Sequence, residues 1–183
     1  SISLIFNKGF YKKEFSRNQL IGDVKDPNSI NQEILLFFNS QGKLPDIFTD
    51  KEKSHLKDVK DLIFNLKIFL IYTSLASIFL LSLLMAYSDK KLKDLRKILL
   101  VSGISGLIIP VLSIFLKFNI LFTRFHMIFF PQGNWRFNQT SVLIRLYPEQ
   151  FFYNSLINIT LSTTIISLIL VFISYLLSKK SSN

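Results

Sequence analysis

Three stretches of this chain are uncharged and long enough to cross a bilayer: residues 68–88, 98–116 and 155–178, which hold 21, 19 and 24 residues. A helix rises about 1.5 Å per residue and a bilayer core is about 30 Å thick, so roughly 20 apolar residues span it. All three runs are apolar on every face, which a helix at the surface of a soluble core does not tolerate. The second contains Gly103, Gly106 and Pro110. Small residues let membrane helices approach closely, and proline is tolerated there. The third carries Asn158, Thr160, Ser162, Thr163 and Thr164, which are expected to hydrogen-bond to neighbouring helices. The fold class is therefore an all-α membrane protein, a small helical bundle.

Charge sets the orientation. Short loops rich in Lys and Arg stay in the cytoplasm. Residues 89–97 hold five cations in nine positions, and the third run ends at Lys179 and Lys180. The spacing predicts an extracytoplasmic segment 1–61, a membrane helix 62–88, a cytoplasmic loop 89–97, and a membrane helix 98–116. An extracytoplasmic loop 117–154, a membrane helix 155–178 and a cytoplasmic tail 179–183 follow. The stretch Ser1 to Phe6 is apolar but too short to span. A head placed outside needs export, so a fourth membrane helix, missing from this sequence, is expected ahead of it, with the two outer segments forming a cap.

Composition excludes several chemistries. There is no cysteine, so there is no disulfide, zinc thiolate or thiol nucleophile. The net charge is +10, yet residues 1–61 carry ten Lys/Arg against nine Asp/Glu. The excess lies beside the apolar runs, which fits membrane orientation and not nucleic-acid binding. No Gly-x-Ser-x-Gly, phosphate loop or dinucleotide fingerprint occurs.

The outer segments hold the chemistry. Asp26-Pro-Asn-Ser29 is a turn signal, and Gln41-Gly-Lys-Leu-Pro45 breaks the apolar stretch before it. Thr49 with Glu52 three residues on forms a capping box for a helix that runs into the first span. Glu52, His55, Val59 and Leu62 share one face, with Asp58 one turn beyond His55. In residues 118–153, 11 of 36 are aromatic. Rings with interleaved arginines suit the headgroup layer, so an aromatic belt without chemistry is one reading. Phe118, Phe122, Phe125 and Phe129 share a helical face. Arg124 and His126 fall off it, which turns them toward a polar cavity, and Pro131-Gln-Gly-Asn134 closes that helix.

The chain has two histidines, His55 and His126, and both fall in segments placed outside. Histidine titrates near neutrality, so a pair can divide base and acid roles. The two rings are expected within about 15 Å of each other, a few times a near-attack spacing of about 3–3.5 Å. A zinc site would take His55, His126 and Glu52 or Asp58, giving a metal-dependent membrane hydrolase. A non-enzymatic lipid- or partner-binding membrane protein is the other alternative.

The contexts Phe48-Thr-x-x-Glu-x-x-His-Leu-x-Asp-Val-Lys-x-Leu62, Phe125-His-x-x-Phe-Phe-Pro-Gln-Gly-Asn-Trp-x-Phe137 and Leu143-Ile-x-x-Tyr-Pro-Glu-x-Phe-Phe152 resemble the integral membrane family that contains the lipoprotein intramolecular transacylase, Lit. Met127 departs from that pattern, where an acidic residue is expected in many bacterial members. The resemblance implies four membrane helices in the plasma membrane and an active site on the extracytoplasmic face. It implies transfer of the sn-2 acyl chain of a diacylglyceryl-cysteine to the same cysteine's α-amine, giving a lyso-form lipoprotein. His55 and His126 would be the two essential histidines, as base and as acid or oxyanion stabiliser, or through an acyl-imidazole. Arg124, Arg136 or Arg145 would hold the carbonyl or phosphates. Trp135 and the phenylalanines of this segment, Phe129 among them, would line the chain groove, Tyr147 would contact substrate, and Glu52 and Asp58 would support the histidines. Ester-to-amide transfer is downhill, so no cofactor and no metal is expected. The partners are the lipid-modified N-terminus and membrane lipids, and the protein is expected to be a monomer.

Overall fold

The chain was described from a computed structural model over residues 8–18, 22 and 24–180. The apolar stretch 1–6 lies outside the described residues, as does the tail from 181. Eight helices follow one another among the described residues: α1 (Lys8–Arg17), α2 (Pro27–Phe38), α3 (Asp50–Tyr87), α4 (Lys91–Gly106), α5 (Ile108–Phe115), α6 (Phe118–Phe129), α7 (Val142–Leu146) and α8 (Glu149–Lys180). No strand occurs among them. Three helical stretches are long and apolar enough to cross a membrane: Asp50–Tyr87, Lys91–Ser113 and Glu149–Lys179. The chain is an all-α membrane protein.

Each apolar run lies in helix, and each of the three helices begins before its run does, at Asp50, Lys91 and Glu149. The second run is broken at Leu107, between α4 and α5. Pro110 explains the break: it has no N–H to give the Gly106 carbonyl, and its ring crowds the turn before it. Leu107 N bonds instead to the Ile104 carbonyl at 3.1 Å, and the helix restarts with Val111 N on the Leu107 carbonyl at 3.0 Å.

The chain divides into two units, Ser1–Leu66 with Asn119–Leu156, and Lys67–Phe118 with Ile157–Asn183. In the second unit, hydroxyls within the apolar runs mostly bond to their own helix. Thr73 donates to the Phe69 carbonyl, and Thr163 and Thr164 donate to the Ile159 and Thr160 carbonyls, each at 2.8 Å. The expectation that Thr163 and Thr164 reach neighbouring helices is thus corrected. In lipid the helix's own carbonyl four residues back is the nearest acceptor. The interhelical work falls to smaller and later residues. Gly103 and Gly106 of α4 lie against Ser167 and Val171 of α8, and Ser174 donates to the Arg96 carbonyl at 3.0 Å. Gly103, Ser167 and Ser174 are buried.

In the first unit the core is formed by α1, α2, the start of α3, α7 and the start of α8. Ile30 and Ile34 lie one turn apart on α2, whose first turn is fixed by the Asp26 side chain accepting from Ser29 N at 3.1 Å, with Pro27 next to it. The Asp26-Pro-Asn-Ser29 turn signal is therefore a helix start. Tyr11 and Phe15, one turn apart on α1, meet Phe151 and Tyr147 at ring-centroid distances of 5.5 and 6.0 Å.

A Cβ at Gly103 would stand 2.9 Å from the Ser167 carbonyl oxygen and 2.7 Å from Val171 Cγ2. Gly103→Val therefore forces two helix backbones apart and should cost about 1–3 kcal/mol, as overpacking does. Gly42→Ala meets nothing nearer than 3.5 Å and serves as the control. Thermal denaturation in detergent reads the difference, and equal midpoints for the two variants would contradict this packing.

Candidate active site

Five of the residues singled out by the sequence, Glu52, His55, Asp58, His126 and Trp135, lie together in the first unit. The start of α3 is a capping box in full. Thr49 N and Thr49 Oγ1 both donate to Glu52 Oε2 at 2.8 Å, and Glu52 N donates to Thr49 Oγ1 at 3.3 Å. The other oxygen, Oε1, accepts from Ser141 Oγ at 2.5 Å and from Leu143 N at 2.9 Å. Leu143 lies in the first turn of α7, so one carboxylate caps two helices. Glu52 is only 1% exposed. Burial pushes its pKa up, but the bonds from Ser141, Leu143 and Thr49 outweigh that and leave it below the ordinary value.

One turn after Glu52 comes His55, 7% exposed, and one turn later Asp58. Asp58 Oδ2 accepts from Gln132 Nε2 at 2.6 Å and from Asn134 Nδ2 at 2.5 Å, and Asn134 Nδ2 also lies 3.2 Å from Ser54 Oγ. Pro131 ends α6, and Gly133 at φ +76° makes the turn that sets Gln132 and Asn134 side by side. α3 thus holds both ends of segment 132–143, one carboxylate on each side of His55.

His126 sits near the end of α6 and is 8% exposed. Its ring centroid is 6.1 Å from that of His55, the planes inclined by 30°. Aromatic rings enclose the pair. Phe130, almost fully buried, lies 4.8 Å from His55 and 5.6 Å from His126. Phe137 lies 5.6 Å from His55, while Phe122 and Trp135 lie 4.2 and 4.7 Å from His126. His126 was expected to turn toward a polar cavity. It faces rings instead, because segment 130–137 folds back over it with Phe130 and Trp135.

His126 Nδ1 lies 2.8 Å from the Phe122 carbonyl oxygen. A carbonyl only accepts, so Nδ1 carries the hydrogen and Nε2 keeps its lone pair. Burial lowers the pKa of both imidazoles. That of His55 falls to about 4, through burial first and the neighbouring His126 second, with Asp58 and Asn134 acting against them. For His126 the bond it donates to the Phe122 carbonyl opposes the burial. Both rings are therefore neutral at neutral pH.

The remaining sequence candidates divide. Trp135 stands at the pair, and Arg136 stacks over its ring at 5.1 Å. Phe129 packs on Phe125 at 4.7 Å and is 44% exposed. Arg124 is exposed and Arg145 half-buried. Tyr147 packs against the core cluster, its hydroxyl donating to Asn31 Oδ1 at 2.6 Å. Two residues beside the pair were missed as site residues: Gln132 and Asn134, both held on Asp58. The two amides flank a glycine inside an otherwise aromatic segment, and that polar pair was the available signal. Among the described residues no group of three or more His, Asp or Glu is arranged to hold a metal.

A family model described as "Lipoprotein intramolecular transacylase Lit" matches residues 1–152. The chain belongs to the Lit family. An uncharacterized protein of Aquifex aeolicus (strain VF5) is 29% identical over 128 residues, which cover 68% of this chain and 55% of that protein. The chain thus spans about half the length of the curated relative it matches. No solved structure matches it. Within the part matched to Lit lie both histidines, both acidic anchors and the aromatic enclosure.

Neutral burial of His55 gives this Lit chain a defined acid sensitivity. The unfolded chain titrates His55 near 6.5, the folded one near 4. Above 6.5 both states hold it neutral. As pH falls from 6.5 toward 4 the unfolded state binds a proton that the folded state refuses, so stability falls across that window. His126, lowered too, adds in the same direction. The thermal midpoint of the wild type should drop more between pH 7.5 and pH 5 than that of His55→Gln. Parallel slopes would show that His55 is not buried neutral.

Proposed function

We propose that this protein moves an acyl chain within a lipid-modified lipoprotein N-terminus, from the glycerol sn-2 oxygen of a diacylglyceryl-cysteine to the cysteine's α-amine. Family membership supports the reaction class, and one observation carries the mechanism: two neutral imidazoles 6.1 Å apart inside a ring-lined enclosure. An α-amine titrates near 8, so part of it is already neutral at physiological pH. That amine has two N–H donors and one lone pair. Two acceptor nitrogens can hold the donors while the lone pair points at the ester carbonyl.

The amine nitrogen attacks, the carbonyl oxygen takes the negative charge, and an imidazole Nε2 removes the proton that nitrogen must lose. As the C–O bond breaks, the imidazolium returns that proton to the sn-2 oxygen. An amide and a free hydroxyl result, and the proton count is unchanged. Burial makes the imidazoles weak bases, and by the same measure makes the imidazolium a strong acid toward a departing alkoxide. A charge on His126 disfavours one on His55, so the pair holds one proton at a time. Holding ester and amine together supplies the rest, since well-oriented groups reach effective molarities of about 10⁵–10⁸ M. Trp135 and Phe129 offer apolar surface for the chain, and Arg124 and Arg136 are cations for the phosphates of surrounding lipid.

Mass spectrometry of a model lipoprotein's N-terminal peptide reads the acyl position. His55→Ala and His126→Ala should each slow formation of the N-acyl lyso product by about 10²–10⁴-fold. The double variant should be scarcely slower than the slower single one, because the two act as a unit. Folded single variants that work at the wild-type rate would refute the mechanism.

The same reading puts this site on the extracytoplasmic face of the plasma membrane, because the 89–97 loop carries five cations. The chain has no cysteine of its own, so single-cysteine labelling is clean. A cysteine at the exposed Gln139 should react with an impermeant reagent in intact cells, and one at the exposed Lys93 only after permeabilisation. The reverse pattern would invert the topology.

A further inference from the structure

The mechanism above uses His55 through a free Nε2, and for that ring no carbonyl fixes the tautomer. His55 Nδ1 and Asn134 Oδ1 are both buried, and among the described residues neither meets full hydrogen-bond geometry with a partner. An isolated buried donor or acceptor is costly, so two in one neighbourhood call for an explanation. Asn134 cannot turn its amide over. Its Nδ2 faces Asp58 at 2.5 Å and Ser54 at 3.2 Å, and a carboxylate only accepts. The amide oxygen is therefore presented on the opposite side, and Asn134 lies near enough to favour the charged form of His55. Gln132, also on Asp58, keeps that carboxylate in place at 2.6 Å. An amide oxygen complements Nδ1 only when Nδ1 carries the hydrogen.

We infer that Asn134 is a positioning residue: clamped by Asp58, its Oδ1 holds His55 as the Nδ1–H tautomer and leaves the Nε2 lone pair for the substrate. His55 and His126 then present the same face, each with Nδ1 turned to a protein oxygen. Substrate does not touch the Asn134 oxygen, which is closed off from solvent along with His55 Nδ1. The inference deepens the proposed reaction and rests on its use of His55.

The test is ¹⁵N NMR of the imidazoles in the full chain in detergent micelles near pH 7.5, paired with the acyl-transfer assay. The wild type should show His55 with a protonated Nδ1 and a bare Nε2, a result that needs no variant. Asn134→Leu keeps the bulk but removes the acceptor. It should move His55 toward the Nε2–H form and lower kcat by roughly 10–100-fold, with KM little changed. The paired swap of Asp58→Asn with Asn134→Asp reverses the clamp: the new amide donates to the new carboxylate, which again accepts from Nδ1–H. That double variant should restore the Nδ1–H signature and much of kcat relative to Asn134→Leu. A wild-type Nε2–H spectrum overturns the inference, and so does a kcat loss in folded Asn134→Leu with the tautomer unchanged. If His55→Ala keeps the native rate, the proposed reaction fails, while the wild-type spectrum still decides the clamp.

Discussion

One ionised carboxylate, buried with four donors around it, holds the start of two helices. Glu52 receives Thr49 on one oxygen and Ser141 with Leu143 on the other. Without it, α3 and α7 would each begin with unsatisfied N–H groups in an apolar surrounding. Because His55 stands one turn further along α3, whatever fixes that helix start fixes the imidazole. Asp58 repeats the device one turn beyond, with Gln132 and Asn134 in place of Ser141 and Leu143. The loop that carries Trp135 and Phe137 is pinned at both ends to the helix that carries His55. Its rings thereby become walls of an enclosure.

The same enclosure treats two kinds of ionisable group in opposite ways. Glu52 is supplied with hydroxyl and amide donors, so its charge is solvated by protein. The histidines are supplied with ring edges and faces, which solvate no charge. Desolvation acts on all three, and the presence or absence of donors decides its outcome. The division leaves the anchor charged and the two imidazoles neutral at neutral pH.

The spans were legible because a bilayer leaves few solutions: an uncharged run of about 20 residues either crosses or is unstable. The capping box at Thr49 and Glu52 was legible because it closes within four residues. The neighbourhood of the two histidines was suggested by their common side of the membrane. Other features depended on partners far along the chain. Glu52 reads as a local cap, and nothing near it in sequence announces Ser141. Gln132 and Asn134 read as turn formers, because Asp58 stands 74 and 76 residues away from them. Tyr147 sits in a motif with Arg145, yet a five-residue helix has no periodicity strong enough to say which side faces the core. His126 was placed off the aromatic face of α6, yet it stands one turn after Phe122, whose ring lies 4.2 Å away. The return of Phe130 and Trp135 over it was not visible in a helical wheel.

The two oxygens of Glu52 come into use at different moments in the life of the chain. Thr49 is three residues away and can be engaged as soon as the helix start leaves the ribosome. Ser141 and Leu143 lie 89 and 91 residues further on. At a synthesis rate of about 5–20 residues per second, they arrive roughly 5–20 s later. Both apolar runs of residues 67–118 are made in that interval. For those seconds Oε1 of Glu52 faces water and His55 has no enclosure, so the newborn helix holds an exposed, ordinary imidazole. The two histidines become enclosed only when the later stretch returns, which makes assembly of this pocket a late event in biogenesis.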